Sequence, residues 1–306
     1  MTLEDTLMDD IRAGKQVDIE RALLIGSGCD TEERISEYRA KLDELERQAD
    51  AHQRGENLFA GSMASAFFYA LNPDARIANN ADALDKFLWQ EKPASIPYRI
   101  RGIFRPIRFK KWKFLPTEAI DAQLLPKAVP VGNCLSLSSL YAMLGTRKGL
   151  DISVLYNSRH ALLQVDTGQR KIAIECTSPC GFGINIEESR LGALKEGGPP
   201  ALVAFIYTHR GHAKLRESDL QGAMQDYEKH IEILPDDADA HMNLAIARYE
   251  AGMFEEAAAG CTKAIELGSD NPILYRLRSD AKRNLGNMQE AKADFVMYRK
   301  LKGESQ

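Results

Sequence analysis

Three stretches decide how this chain folds: LQGAMQDYEKHIEILP at 220–235, FEEAAAGCTKAIELGS at 254–269 and MQEAKADFVMYRKLKG at 288–303. Written one beneath another, they fall into register at an offset of thirty-four residues. Ala223, Ala257 and Ala291 share one column, and Tyr227, Cys261 and Phe295 share the column four residues on. Gly252 and Gly286 repeat with the same period. Self-similarity at such a period marks an architecture in which each unit buries its apolar face only against its neighbours. The alanine lets two helices approach, the bulky residue fills the layer between units, and the glycine closes the first helix of each pair. Pro235 follows the second helix of the first unit; Ser269 stands there in the next, with Pro272 three residues on.

This length and pattern resemble the tetratricopeptide repeat, a helix–turn–helix unit. The resemblance implies an all-α array over 201–306 that holds a protein or peptide partner. Lys214, Arg248 and Lys282 stand where an aromatic is usual, and Ser218 replaces the glycine of the first repeat. An atypical first repeat is expected where an array caps itself or meets another domain.

Outward from the repeats, 306 residues allow two domains, here 1–200 and 201–306. A net charge of −4 does not favour nucleic acid as a partner of the whole chain. No apolar run of about eighteen residues predicts a membrane span. The N-terminal MTLEDTLMDD is acidic where a signal peptide is basic then apolar, so the expectation is a cytosolic protein. Five cysteines, an odd and small number, read as thiols rather than disulfides.

The first hundred residues read as helical. Asp18 caps a helix through Leu23, Leu24 and Ile25 that stops near Gly26 and Gly28. Asp30 with Glu33 forms a capping-box pattern ahead of a long helix with Ile35, Tyr38, Leu42 and Leu45 on one face. Further helices are expected at Ala60 to Leu71 and at Asn80 to Gln90. The stretch YRIRGIFRPIRFKKWKFL, 98–115, has seven Lys or Arg and no acid, interleaved with Phe104, Phe109, Trp112 and Phe114. It fits a solvated loop with inward aromatics, a groove for an acidic protein or peptide, or a single-strand nucleic-acid site.

The chemistry-bearing segment is VPVGNCLSLSSLYAMLGTRKGL, 129–150. Leu137, Leu140, Tyr141 and Leu144 follow helical spacing, which places Cys134 in the first turn of a buried helix. A helix N-terminus offers free N–H groups and a positive dipole end, both of which favour a thiolate. The period then changes to that of strands at Ile152 to Tyr156, His160 to Val165 and Lys171 to Cys176. With a two-residue turn at Thr167-Gly168, Asp166 faces Gln169 and His160 lies directly opposite Glu175. A thiol, an imidazole and a carboxylate in that order suit nucleophilic catalysis: His160 deprotonates Cys134 and Glu175 orients His160. Taken singly, such residues are more often an inert core thiol and a strand histidine satisfied by a local carbonyl. Cys176 and Cys180 with His160 make a poor zinc set, since no CxxC pair exists; no metal or cofactor is expected. His209 and His212 read as surface or packing residues at the domain junction.

Cys134 on a helix, His160 opening a strand and an acid on the next strand resemble the transglutaminase-like fold of the papain-like cysteine enzymes. More narrowly, DIERALLIGSG, ISEYRAKLDEL, the Cys134 helix, RHALLQV, IAIECT and the repeats together resemble bacterial transglutaminase-like proteins with C-terminal tetratricopeptide repeats. The resemblance implies an α+β papain-like domain followed by the array. It implies a thiol-dependent acyl-transfer enzyme, a cysteine peptidase, amidase or transglutaminase-like acyl transferase, with catalytic Cys134, His160 and Glu175. Aspartate is usual in that pattern where Glu175 stands, and members of the narrower group often lack the cysteine. Both departures support the rival expectation, a catalytically silent protein-binding scaffold or regulator.

Overall fold

The computed structural model describes residues 1–51, 115–123, 134–157, 160–176 and 194–303. The helices expected at Ala60 to Leu71 and Asn80 to Gln90, the basic-aromatic stretch up to Phe114, and Cys180 lie outside these residues. In chain order the elements are α1 (Leu3–Arg12), α2 (Ile19–Gly26), α3 (Glu32–Ala51), α4 (Pro116–Gln123), α5 (Cys134–Arg147), β1 (Asp151–Asn157), β2 (His160–Asp166), β3 (Lys171–Ile174), β4 (Lys195–Gly197), α6 (Pro200–Arg216), α7 (Leu220–Ile233), α8 (Ala238–Glu250), α9 (Phe254–Glu266), α10 (Pro272–Asn284) and α11 (Met288–Leu301). The chain divides into two compact units, Ile19–Leu202 and Met1–Asp18 with Val203–Gln306.

The Ile19–Leu202 unit has helices beside a four-stranded antiparallel sheet ordered β3-β2-β1-β4. Thr31, rather than Asp30, accepts the Arg34 N–H at 3.3 Å and caps α3. Ile35, Tyr38, Leu42 and Leu45 are all buried, so the helical stripe read from sequence is the core face. Glu20 is buried between Arg39 and Arg147, and Arg147 also reaches Asp43 at 2.6 Å, so one charge cluster ties α2, α3 and α5. A buried carboxylate is tolerated only when paired in this way. Gly145 lets α5 settle against β1: a Cβ there would lie 2.6 Å from Ile152 Cδ1. Val154, Leu163 and Val165 are fully buried in the sheet.

The other unit is a helical array joined by α1. Its three hairpins are α6–α7, α8–α9 and α10–α11. Ala223 and Ala257 are fully buried and Ala291 is 4% exposed, as the close approach of paired helices requires. Gly252 and Gly286 take φ of +78° and +80° where the first helices end. Ser218 takes +64° at the equivalent point, a left-handed conformation that costs an L-residue about 1–2 kcal/mol. The neighbouring hydrogen bonds are the same in all three: Asp219, Met253 and Asn287 N–H donate to the carbonyls of Lys214, Arg248 and Lys282 at 2.9, 2.9 and 2.8 Å.

The three cations that replace an aromatic have a reason in the structure. Lys214 and Arg210 meet the buried Asp226 at 2.7 and 3.2 Å, ion pairs without the alignment of hydrogen bonds. Sixty-eight residues on, Lys282 and Arg278 meet Asp294 at 2.9 and 2.6 Å. The middle hairpin has Leu244 and Gly260 at the matching positions. Its Arg248 turns instead to Glu228 of the preceding hairpin at 3.1 Å. α1 opens on a reciprocal cap between Thr2 and Asp5 and brings Glu4 to Arg210 and Lys229 at 2.7 and 2.8 Å. Among the described residues no helix is long and apolar enough to cross a membrane.

Candidate functional site

On α8, Ala240, Leu244 and Ala247 form one buried arc, and Ala245 with Met242 packs along a second. Between them runs a stripe at helical spacing, Asp239, Asn243, Ile246 and Glu250, half-buried or exposed. The period carries it to Phe205, His209, His212 and Arg216 on α6, and to Ile273, Leu277, Asp280 and Asn284 on α10. A side-chain hydrogen bond from His212 to Asn243 joins the first two stripes. Burial, then the electrostatic influence of His212 and Arg216, pushes His209 down to about 4, so it is neutral near pH 7. Burial also lowers His212, opposed by the bond to Asn243. The stripe therefore mixes neutral imidazoles, amides, carboxylates and aliphatic side chains on rigid helices, a surface for side-chain-specific recognition of a peptide. His209 and His212, read from sequence as surface or packing residues, are half-buried and sit at the heart of it.

In the sheet unit the structure brings Cys134, His160 and Glu175 together. Cys134 is the first residue of α5 and His160 the first of β2. His160 Nε2 hydrogen-bonds Glu175 Oε2, and its backbone N–H donates to Asn157 Oδ1 at 3.0 Å. Hydrogen bonding to Cys134, then to Glu175, outweighs partial burial and raises His160 from 6.5 to about 10. The path to this contact differs from the expected one. The turn between β2 and β3 holds four residues, closed by Thr167 Oγ1 donating to the Arg170 carbonyl at 2.9 Å. Asp166 faces Lys171 rather than Gln169, a register slip of two. Side chains alternate with period two, so this slip leaves Glu175 on the same face, diagonal to His160 instead of opposite. A glutamate is long enough to span that diagonal. Burial pushes the Cys176 thiol up, opposed by a bond to Ser138. Among the described residues no group of three His, Cys, Asp or Glu is placed to hold a metal ion.

Residues 214–281 match the family model of the tetratricopeptide repeat. Stress-induced-phosphoprotein 1 of Caenorhabditis elegans is 30% identical over 87 residues, 28% of this chain and 27% of that protein. The chain thus spans about a quarter of the length of that curated relative. Similar solved structures include the second TPR of Spaghetti (RPAP3) bound to HSP90 peptide SRMEEVD, 30% identical, covering 32% of this chain and 91% of that one with a TM-score of 0.32. The TPR2AB-domain:pHSP90-complex of yeast Sti1 is 14% identical and covers 87% and 92%, also with a TM-score of 0.32. The family match falls on the repeats, and the solved structures named above are TPR domains. The expected thiol-dependent acyl-transfer enzyme is overturned by this result, and the scaffold reading takes its place.

Proposed function

We propose that this protein is a scaffold whose repeats hold a protein or peptide partner on the stripe of α6, α8 and α10. The observation that carries this reading is the stripe: twelve positions in phase on three stacked helices, half-buried or exposed between buried arcs, within an array whose family match spans 214–281. Rigid first helices present side chains at fixed spacing, so a bound segment is ordered without reordering its host. A displayed random-peptide library, with the HSP90 peptide SRMEEVD as one reference ligand, tests it on the full chain. A selected motif that binds the native chain and loses roughly tenfold in affinity on Asn243→Ala with Ile246→Glu, at unchanged helix content, is the expected result. Absence of any selected motif, or equal binding by the variant, overturns it.

The α+β unit is proposed to follow the transglutaminase-like pattern, supported by α5 preceding an antiparallel sheet with Cys134 at the helix start. Cys134, His160 and Glu175 are proposed as its site residues, as a polarised thiol–imidazole–carboxylate cluster with no reaction assigned. Supporting this is the charge-assisted bond of His160 to Glu175 together with its bond to Cys134. Iodoacetamide labelling of Cys134 near pH 6 is expected to slow roughly tenfold in His160→Ala. Labelling at the same rate in both proteins removes the cluster as a site.

A further inference from the structure

The outer face of the third hairpin is built like an interface and is partly exposed among the described residues. α7 carries Leu220, Met224, Tyr227 and Ile231 at helical spacing, and Leu244 and Ala247 of α8 pack with Met224, Tyr227 and Ile231. α9 presents the same four columns, and Leu274 of α10 packs against Cys261. Tyr227 and Cys261 are fully buried as a result. On α11 the columns hold Met288, Lys292, Phe295 and Arg299, and there Phe295 is 36% and Met288 64% exposed. Of the eight large hydrophobic residues exposed among the described residues, five, Met288, Phe295, Val296, Met297 and Leu301, lie on α11. Among the described residues α10 is the element that packs against α11.

The charge of the same hairpin says what fits. Residues 204–237 carry four Lys or Arg against seven acids, and 238–271 carry two against six. Residues 272–303 reverse this, with eight against three. All three acids are already engaged: Asp280 with Arg276 and Arg283, Asp294 with Arg278 and Lys282, and Glu290 with Lys282. Cations also lie over the rings, with Arg276 5.7 Å from Phe295 and Lys302 5.6 Å from Tyr298. A second copy meeting this face with its own would oppose like charges. Meeting it with the acidic first hairpin is obstructed by α1, which packs against α7 and takes up Glu232 through Arg12 at 2.8 Å.

We infer that the α11 face docks an amphipathic helix of a partner protein, with a Leu/Ala stripe flanked by Asp or Glu, seated as α8 sits on α7. The apolar stripe covers Phe295 and Met288, and the acids meet Lys292 and Lys302. This surface is separate from the stripe of α6, α8 and α10 and does not depend on what that stripe binds.

Two helical peptides with an identical Leu/Ala stripe, one flanked by glutamates and one by lysines, are titrated onto the full chain by fluorescence anisotropy. The glutamate peptide is expected to bind roughly tenfold more tightly than the lysine peptide, and to weaken as salt rises. The variants Phe295→Ser and Lys292→Glu are each expected to abolish that preference. Asn243→Ala with Ile246→Glu is expected to leave it intact, which separates this face from the peptide stripe. Equal binding of the two peptides, no binding, or binding indifferent to Phe295 and Lys292 overturns the proposal. Concentration-dependent dimerisation lost in Phe295→Ser, measured by sedimentation, also overturns it in favour of a second copy.

Discussion

The first and third hairpins share one period, one fold and one buried charge cluster, yet they end in opposite circumstances. Tyr227 and Phe295 occupy the same column, and one is fully buried while the other is 36% exposed. Asp226 and Asp294 each meet an Arg and a Lys from the first helix of their own hairpin. Ser218 and Gly286 both turn left-handed at the helix end, but only the glycine does so without steric cost. A position within a repeat sets where a side chain points. Its energetic weight is set by what lies beyond it.

The sharpest way to break this comparison is truncation of the shared column. Tyr227→Ala is expected to cost about 3–5 kcal/mol, as for a fully buried aromatic. Phe295→Ala is expected to cost about 2 kcal/mol, because part of its surface is already in water. Denaturant unfolding followed by helix signal checks both, and equal losses would mean the third hairpin is covered after all. Gly211→Ala comes next. The added Cβ would lie 2.6 Å from the Tyr227 ring, an overlap expected to cost about 1–3 kcal/mol. Tyr227→Leu in the same chain should recover part of that loss. Ser218→Gly is expected to gain, and Gly286→Ser to lose, about 1 kcal/mol in the same assay.

Slopes against pH sharpen the contrast between the two units. His160 is raised to about 10 from 6.5, so the native state holds an extra proton between those values. Its stabilisation is full below about 6.5 and is lost as pH rises toward 10. His209 is lowered to about 4, so the native state holds fewer protons between 4 and 6.5. Stability of the repeat unit should therefore rise with pH across that window. His160→Gln and His209→Gln are each expected to flatten their own slope in unfolding midpoints collected across pH. A slope that survives its substitution belongs to another group.

Much of this structure was legible beforehand, for reasons that can be named. Strong columns such as Ala223, Ala257 and Ala291 are visible because packing repeats with the chain. The Cys134 helix and three strands were visible because their apolar periods differ. β4 was not, since three residues, Lys195 to Gly197, cannot display a period. α1 is a short polar helix, Leu3–Arg12, held by its own cap and by ion pairs to residues more than two hundred positions away. Thr31 displaced Asp30 as the cap of α3 because capping depends on local backbone geometry as well as residue type. The meeting of His160 with Glu175 was foreseen through a register wrong by two, and survived because a two-residue slip preserves the face.

By itself the sequence determined the period, the helix pairs, the core columns and the three strands that follow the Cys134 helix, since these follow from which side chains avoid water at which spacing. Only the tertiary structure decided the rest. It placed α1 with the repeats, gave Lys214, Arg248 and Lys282 their carboxylates, joined His212 to Asn243 and left Phe295 partly exposed. Each of these depends on a partner far away in the chain, and periodicity carries no information about which distant surfaces meet.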